Sequence, residues 1–186
     1  MSVILWFKRD LRIADHALLA GMGDKGEVPM FIAEPDVWQG ADASARQWDF
    51  VAESLSELRD DLARLGAPLV VRTGDAVDVL DALRRETGAD ELWSHEETGN
   101  ALTYARDRRV AAWAAREGVA WREVPQAGVV RRLDTRDRWA KTRDGRMGQP
   151  QAVVPAGLHA VSGLAPGVIP SSRELGLAPD PCPNRQ

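Results

Sequence analysis

Cysteine is nearly missing from these 186 residues: Cys182, close to the C-terminus, is the only one. A disulfide framework needs pairs and a thiolate zinc centre needs several ligands, so neither is expected, and a reducing, cytoplasmic setting fits. Histidine is almost as scarce. His16, His95 and His159 are scattered along the chain, and no metal cluster is expected from their spacing. No apolar run approaches the ~18 residues of a membrane helix. The N-terminus meets charge at Lys8 without a basic leader before it, so neither a secretory signal nor a membrane partner is expected. A G-x-x-x-x-G-K-[ST] loop is also missing, which removes the commonest phosphate cradle. Basic charge is not in excess either: the net charge is −4 and the pI about 5.4. That balance argues against a free-standing module held on nucleic acid mainly by phosphate contacts.

What is present is a repeating order of apolar runs and helical patterns. Val3–Phe7, Val28–Ala33, Pro68–Arg72, Glu91–Ser94 and Val119–Val124 are nearly continuous in apolar character, the mark of strands buried on both faces of a parallel sheet. Between the second and third, Val51, Leu55, Leu58, Leu62 and Leu65 recur at helical spacing. Ser44 with Gln47 three residues on reads as a capping box, and Gly66 as the stop. Asp75–Arg85 and residues 101–117, ending at Gly118, form the next two crossovers. The pattern predicts an α/β fold, a doubly wound five-stranded parallel sheet of Rossmann-like type with helices on both faces. Ligands in such sheets sit beyond the carboxyl ends of the strands, where strand order reverses.

The predicted division is an α/β domain over 1–130 and a second segment over 131–186. Residues 131–146 carry seven Arg or Lys against three Asp, and 150–183 hold seven of the eleven prolines. This part reads as a linker or a wrapping segment, with a possible short strand at Val129-Val130. Gly21-Met22-Gly23-Asp24-Lys25-Gly26 matches G-x-G-x-x-G in letters only. It precedes a strand instead of following one, so these glycines are read as turn and helix-stop residues. Ser94-His95-Glu96 is no triad, since adjacent strand residues point to opposite faces; His95 is expected in a loop. Trp6, Trp48, Trp93 and Trp113 are read as core.

The charges of Lys8, Arg9, Asp10 and Arg12, placed where a buried strand hands over to the next element, carry the most information. "VILWFKRDLRIADHALL" (3–19) resembles the start of DNA photolyases and cryptochromes, and "FIAEPDVW", "SARQWDFVAESLSELRDDLARLGAPLVVRTGD" and "YARDRRVAAWAAREGV" follow in the family's order. The resemblance implies an N-terminal antenna domain, whose pigment lies near the carboxyl edge of the sheet and passes excitation energy to a flavin. It implies Arg9, Asp10, Arg12, Glu34, Ser44, Arg46, Glu96 and Glu97 as pigment-binding candidates. Bland roles stand beside these: Asp10 and Arg12 would equally pair with each other or cap helix ends, and Ser44 already has a capping role.

Two departures bear on the pigment. Leu102-Thr103-Tyr104 stands where folate-binding members carry a carboxylate, which favours flavin mononucleotide, deazaflavin or lumazine over folate. "RRLDTRDRWAKTRDGRMGQP" replaces an aromatic run common in the family, as in an atypical branch. The resemblance also implies that flavin adenine dinucleotide, and most of the surface for damaged DNA, belong to a C-terminal helical domain outside these residues, with 164–186 as the connector toward it. The parent would be a photolyase-like lyase or a blue-light sensor, and no catalytic residue is assigned here. The basic stretch Arg131–Arg146 would dock the helical domain or approach DNA. The alternative is a nucleotide-binding or signalling α/β module without pigment.

Overall fold

In the computed structural model of the chain, the described residues are 2–179 apart from 24, 127, 132 and 134; Cys182 lies outside them. Five strands, β1 (Ser2–Phe7), β2 (Gly26–Ala33), β3 (Val70–Thr73), β4 (Glu91–His95) and β5 (Ala120–Val124), form one all-parallel sheet. Their order is β3-β2-β1-β4-β5, so the direction of winding reverses between β1 and β4. The α/β fold expected from the apolar runs is the one observed.

Alternation within β1 feeds two separate cores. Val3, Leu5 and Phe7 pack with Trp48, Leu55, Leu58 and Leu62 of α2 (Ala45–Leu65, after the single-turn α1 at Pro35–Trp38). Ile4 and Trp6 face the other way, toward Leu80 and Leu83 of α3 (Ala76–Thr87) and Val110 and Trp113 of α4 (Ala101–Glu117). Because both faces are covered, the central strands β1 and β2 are buried almost throughout and read as apolar runs.

The helix ends follow local chemistry. Ser44 Oγ accepts from the Gln47 N–H, Asp75 from those of Val77 and Asp78, and Asn100 from that of Thr103. Gly66, Gly88 and Gly118 end their helices in the left-handed region.

Three details differ from expectation. The stretch before Gly21, read as helix-stop, contains only a 3-10 turn, Leu19–Gly21, and Asp15 ahead of it has a positive φ of 49° and accepts the Ala152 N–H. Val129-Val130 is not a strand. The basic region instead forms a 3-10 turn, Arg136–Arg138, leading into α5 (Trp139–Met147).

The proline-rich segment lies along this same domain. His159 N–H donates to Glu27, Leu158 N–H to the Leu65 carbonyl, and Val71 N–H to the Pro166 carbonyl at the β3 edge. Further on, the Trp48 indole donates to the Pro170 carbonyl at 2.8 Å, and Leu175 is buried in the α2-side core. No helix among the described residues is long and apolar enough to cross a membrane.

Candidate functional site

A cavity of about 1050 Å³ opens over the carboxyl ends of β2 and β1 and extends to the loop after β4. It spans the point where strand order reverses, as expected for this architecture. Trp6, Phe31, Trp38 and Phe50 provide aromatic walls, and Phe50 is 70% exposed at the edge. Trp38 meets Trp48 edge-on, with ring centroids 4.8 Å apart.

The floor is charged. Arg106, on α4, holds Glu34 Oε2 at 2.7 Å, Glu97 Oε2 at 2.8 Å and Asp107 Oδ1 at 2.8 Å. Lys8 Nζ pairs with Asp107 Oδ2 at 2.8 Å and lies 4.5 Å over the Trp6 ring. Glu97 Oε1 accepts the Gly99 N–H and faces Arg9 at 3.7 Å. Burial pushes Glu34 above its ordinary range, and Arg106 offsets this only in part. Burial also acts to raise Glu97, but Arg106, Arg9 and Lys8 outweigh it and hold that carboxyl low. Desolvation lowers Lys8, against the pull of Asp107. These groups, from the ends of three strands and one helix, form a buried ionic network under the cavity.

Of the eight candidate residues, Arg9, Arg12, Glu34, Ser44, Arg46 and Glu97 line the cavity. Arg12 is fixed by the carbonyls of Ala14 and Asp15, so it does not pair with Asp10. Ser44 both caps α2 and borders the cavity.

Asp10 and Glu96 are not among the lining residues. Glu96 continues the sheet, its N–H donating to the Val124 carbonyl. Asp10 is buried beneath the loop, where Oδ1 accepts the Lys8 N–H and Oδ2 meets His16 Nε2 at 2.8 Å and His95 Nδ1 at 2.5 Å. The Leu19 N–H donates to His16 Nδ1, so the hydrogen of His16 sits on Nε2 and points to Asp10. Burial raises the Asp10 carboxyl, but the bonds from His16 and His95 dominate and hold it far below the usual range.

His95 is thus the last residue of β4 and buried, and the histidines that looked scattered converge on one carboxylate. Their ligand-type atoms lie within 4.8 Å of one another. The short N···O separations and the Leu19 donor make this a closed hydrogen-bond network.

Lys8, Arg106 and Asp107 were not among the sequence candidates. A signal for two of them existed: Thr103, Arg106, Asp107, Val110 and Ala114 share the buried face of α4, where the helical period calls for apolar residues. Charges on that face mark a built polar site.

An open, doubly wound α/β domain with a ring-sized cavity over its switch point is a small-molecule-binding class of domain. The comparisons narrow the class: a DNA photolyase family model matches residues 3–142. The chain belongs to the photolyase/cryptochrome family and corresponds to its N-terminal α/β domain.

It is 37% identical over 113 residues to a deoxyribodipyrimidine photo-lyase of Agrobacterium fabrum, covering 58% of this chain and 23% of that one. It is 24% identical to a cryptochrome DASH of Natronomonas pharaonis, over 99% of this chain and 42% of the relative. Among solved structures, the photolyase of Sulfolobus tokodaii matches with a TM-score of 0.60 and 26% identity, over 69% of this chain and 30% of that one. That protein was solved with two FAD molecules, implicating a novel light-harvesting cofactor. The chain spans less than half the length of these relatives.

Proposed function

We propose that the cavity holds an antenna chromophore of flavin, deazaflavin or lumazine type, and that this domain hands the absorbed energy to a flavin adenine dinucleotide in a separate helical domain. The observation that carries the reading is the cavity itself: about 1050 Å³, aromatic on its walls and ionic on its floor. Aromatic walls suit a planar ring, and a few placed polar groups orient it. Arg9 and Arg12, on the first loop, offer positive charge to an anionic tail.

A folate is disfavoured by the start of α4, where the Thr103 hydroxyl turns back to the Asn100 carbonyl and Leu102 and Tyr104 are exposed. A dinucleotide is the second reading, supported by the cavity volume and by the second FAD of the Sulfolobus tokodaii photolyase. In the whole protein the energy would drive electron transfer to a pyrimidine dimer in damaged DNA, or a light signal. The basic stretch with α5 would dock the helical domain.

The test is the absorption spectrum of the chain purified in dim light, followed by reconstitution with flavin mononucleotide, a deazaflavin, a lumazine, FAD and a reduced folate. Retained absorption beyond the tryptophan band, with circular dichroism induced in the pigment, is expected. A folded chain that retains none of these rings overturns the reading.

A further inference from the structure

Glu34 stands out from the other acids around Arg106. Glu97 uses both oxygens, one on the Gly99 N–H and one on Arg106, and Asp107 uses both, on Arg106 and Lys8. Glu34 Oε2 takes Arg106, but Oε1 accepts no hydrogen bond from any described residue. The residue is only 8% exposed, yet Oε1 is not among the sealed unpaired atoms; among the described residues only Asp90 Oδ1 is. Oε1 therefore keeps some accessible area, on a residue that lines the cavity.

The local backbone explains the arrangement. Glu34 is the N-cap residue of α1, but its side chain makes no capping bond. Released from capping, the carboxylate reaches across to α4. An acceptor left unused by the protein and still accessible is free to take a hydrogen bond from a ligand.

Arg106 adds the complementary half. Three of its five N–H groups donate to carboxylates of Asp107, Glu34 and Glu97, so donors remain on a guanidinium that lines the same cavity.

We propose that Glu34 is the specificity-determining contact of the cavity: Oε1 accepts a hydrogen bond from a ring N–H of the ligand. The ligand class is thereby a planar heterocycle with an amide or imide edge, its N–H on Glu34 and the adjoining carbonyl beside Arg106. This rests on the reading of the cavity as a chromophore site. A site built around an acceptor rejects an analogue that lacks the donor, because the carboxylate is then left unpaired.

The experiment compares flavin mononucleotide with its N3-methylated analogue by calorimetric titration, on the wild-type chain, Glu34→Ala and Glu34→Gln. Methylation is expected to weaken wild-type binding about tenfold or more. The two affinities should converge in Glu34→Ala, while Glu34→Gln, which keeps an acceptor oxygen, retains part of the discrimination. Far-ultraviolet circular dichroism checks folding, and Glu34→Gln alone is read if the alanine variant is unfolded, with a reduced discrimination ratio expected. Equal wild-type affinities, or an unchanged ratio in the variants, overturn the role of Glu34 and leave the chromophore reading standing. Failure of flavin mononucleotide, deazaflavin, lumazine and FAD alike to bind the folded wild-type chain overturns both.

Discussion

Asp10 Oδ2 and His95 Nδ1 lie 2.5 Å apart although 85 residues separate them in the chain. The bond ties the loop after β1 to the last residue of β4, and so anchors from below the loop that brings Arg9 and Arg12 to the cavity.

Replacing Asp10 with Asn leaves one oxygen where two accept, so the amide NH₂ opposes either the Lys8 N–H or the His16 and His95 donors, and stability should fall by about 2–3 kcal/mol in urea unfolding. The acid limb of stability should change with it. The Asp10 carboxyl is held low in the folded chain, so the unfolded state binds the extra proton. Its contribution is full above the ordinary value of 3.8 and is lost as pH falls below it. The wild-type urea midpoint should fall more steeply below about pH 4 than that of Asp10→Asn; parallel curves would contradict this. Glu34, raised by burial, acts in the opposite sense, its share declining as pH climbs past the ordinary 4.5.

Arg106→Met removes the cation between Glu34, Glu97 and Asp107 while keeping much of the side-chain volume. Breaking one member out of a buried ionic group costs about 3–5 kcal/mol, because the partners are left uncompensated. Chemical denaturation near neutral pH measures it. Triple replacement of Arg106, Glu34 and Glu97 by apolar residues should recover much of the loss, and failure to recover would show that packing, not charge, dominates there.

The segment over 158–177 is tested at two points. Trp48→Phe keeps the ring beside Trp38 but deletes the N–H that the Pro170 carbonyl accepts, a loss of about 1 kcal/mol. Gly167→Val is harsher. Gly167 has φ 73°, and a Cβ there would stand 2.2 Å from the Val71 carbonyl oxygen, so the segment should lift from the β3 edge. Hydrogen exchange should then accelerate at the Val71 N–H and around residues 35–45, with α3 and α4 unaffected; unchanged protection at Val71 would refute the account.

The parts legible from sequence are those set by local chemistry. Ser44 caps and Gly66 and Gly118 stop because a short polar side chain and a missing Cβ do the same thing in any fold. The central strands β1, β2 and β4 were readable because burial on both faces removes alternation, whereas β5 has no fully buried residue. Gly21 was read as a turn or helix stop, and only a 3-10 turn precedes it, in a loop tied down by His16 and Asp15. The union of Asp10, His16 and His95 depends on β1 and β4 being neighbours, which sequence order alone does not specify. Six of the eight pigment candidates do border the cavity, but Asp10 is spent beneath it and Glu96 belongs to the β5 side. Arg106 was overlooked because an arginine on an otherwise regular helix is usually solvated.

The segment that runs from the Ala152–Asp15 contact past Glu27 and Leu65 to the back of Trp48 has a practical consequence. A cut after residue 130, the place where composition alone divides the chain, would strip the outer side of the border strand of its backbone partner at Pro166 and uncork the socket filled by Leu158 and Leu175. Anyone grafting this domain onto another protein should carry it as one parcel through Leu177, tail included.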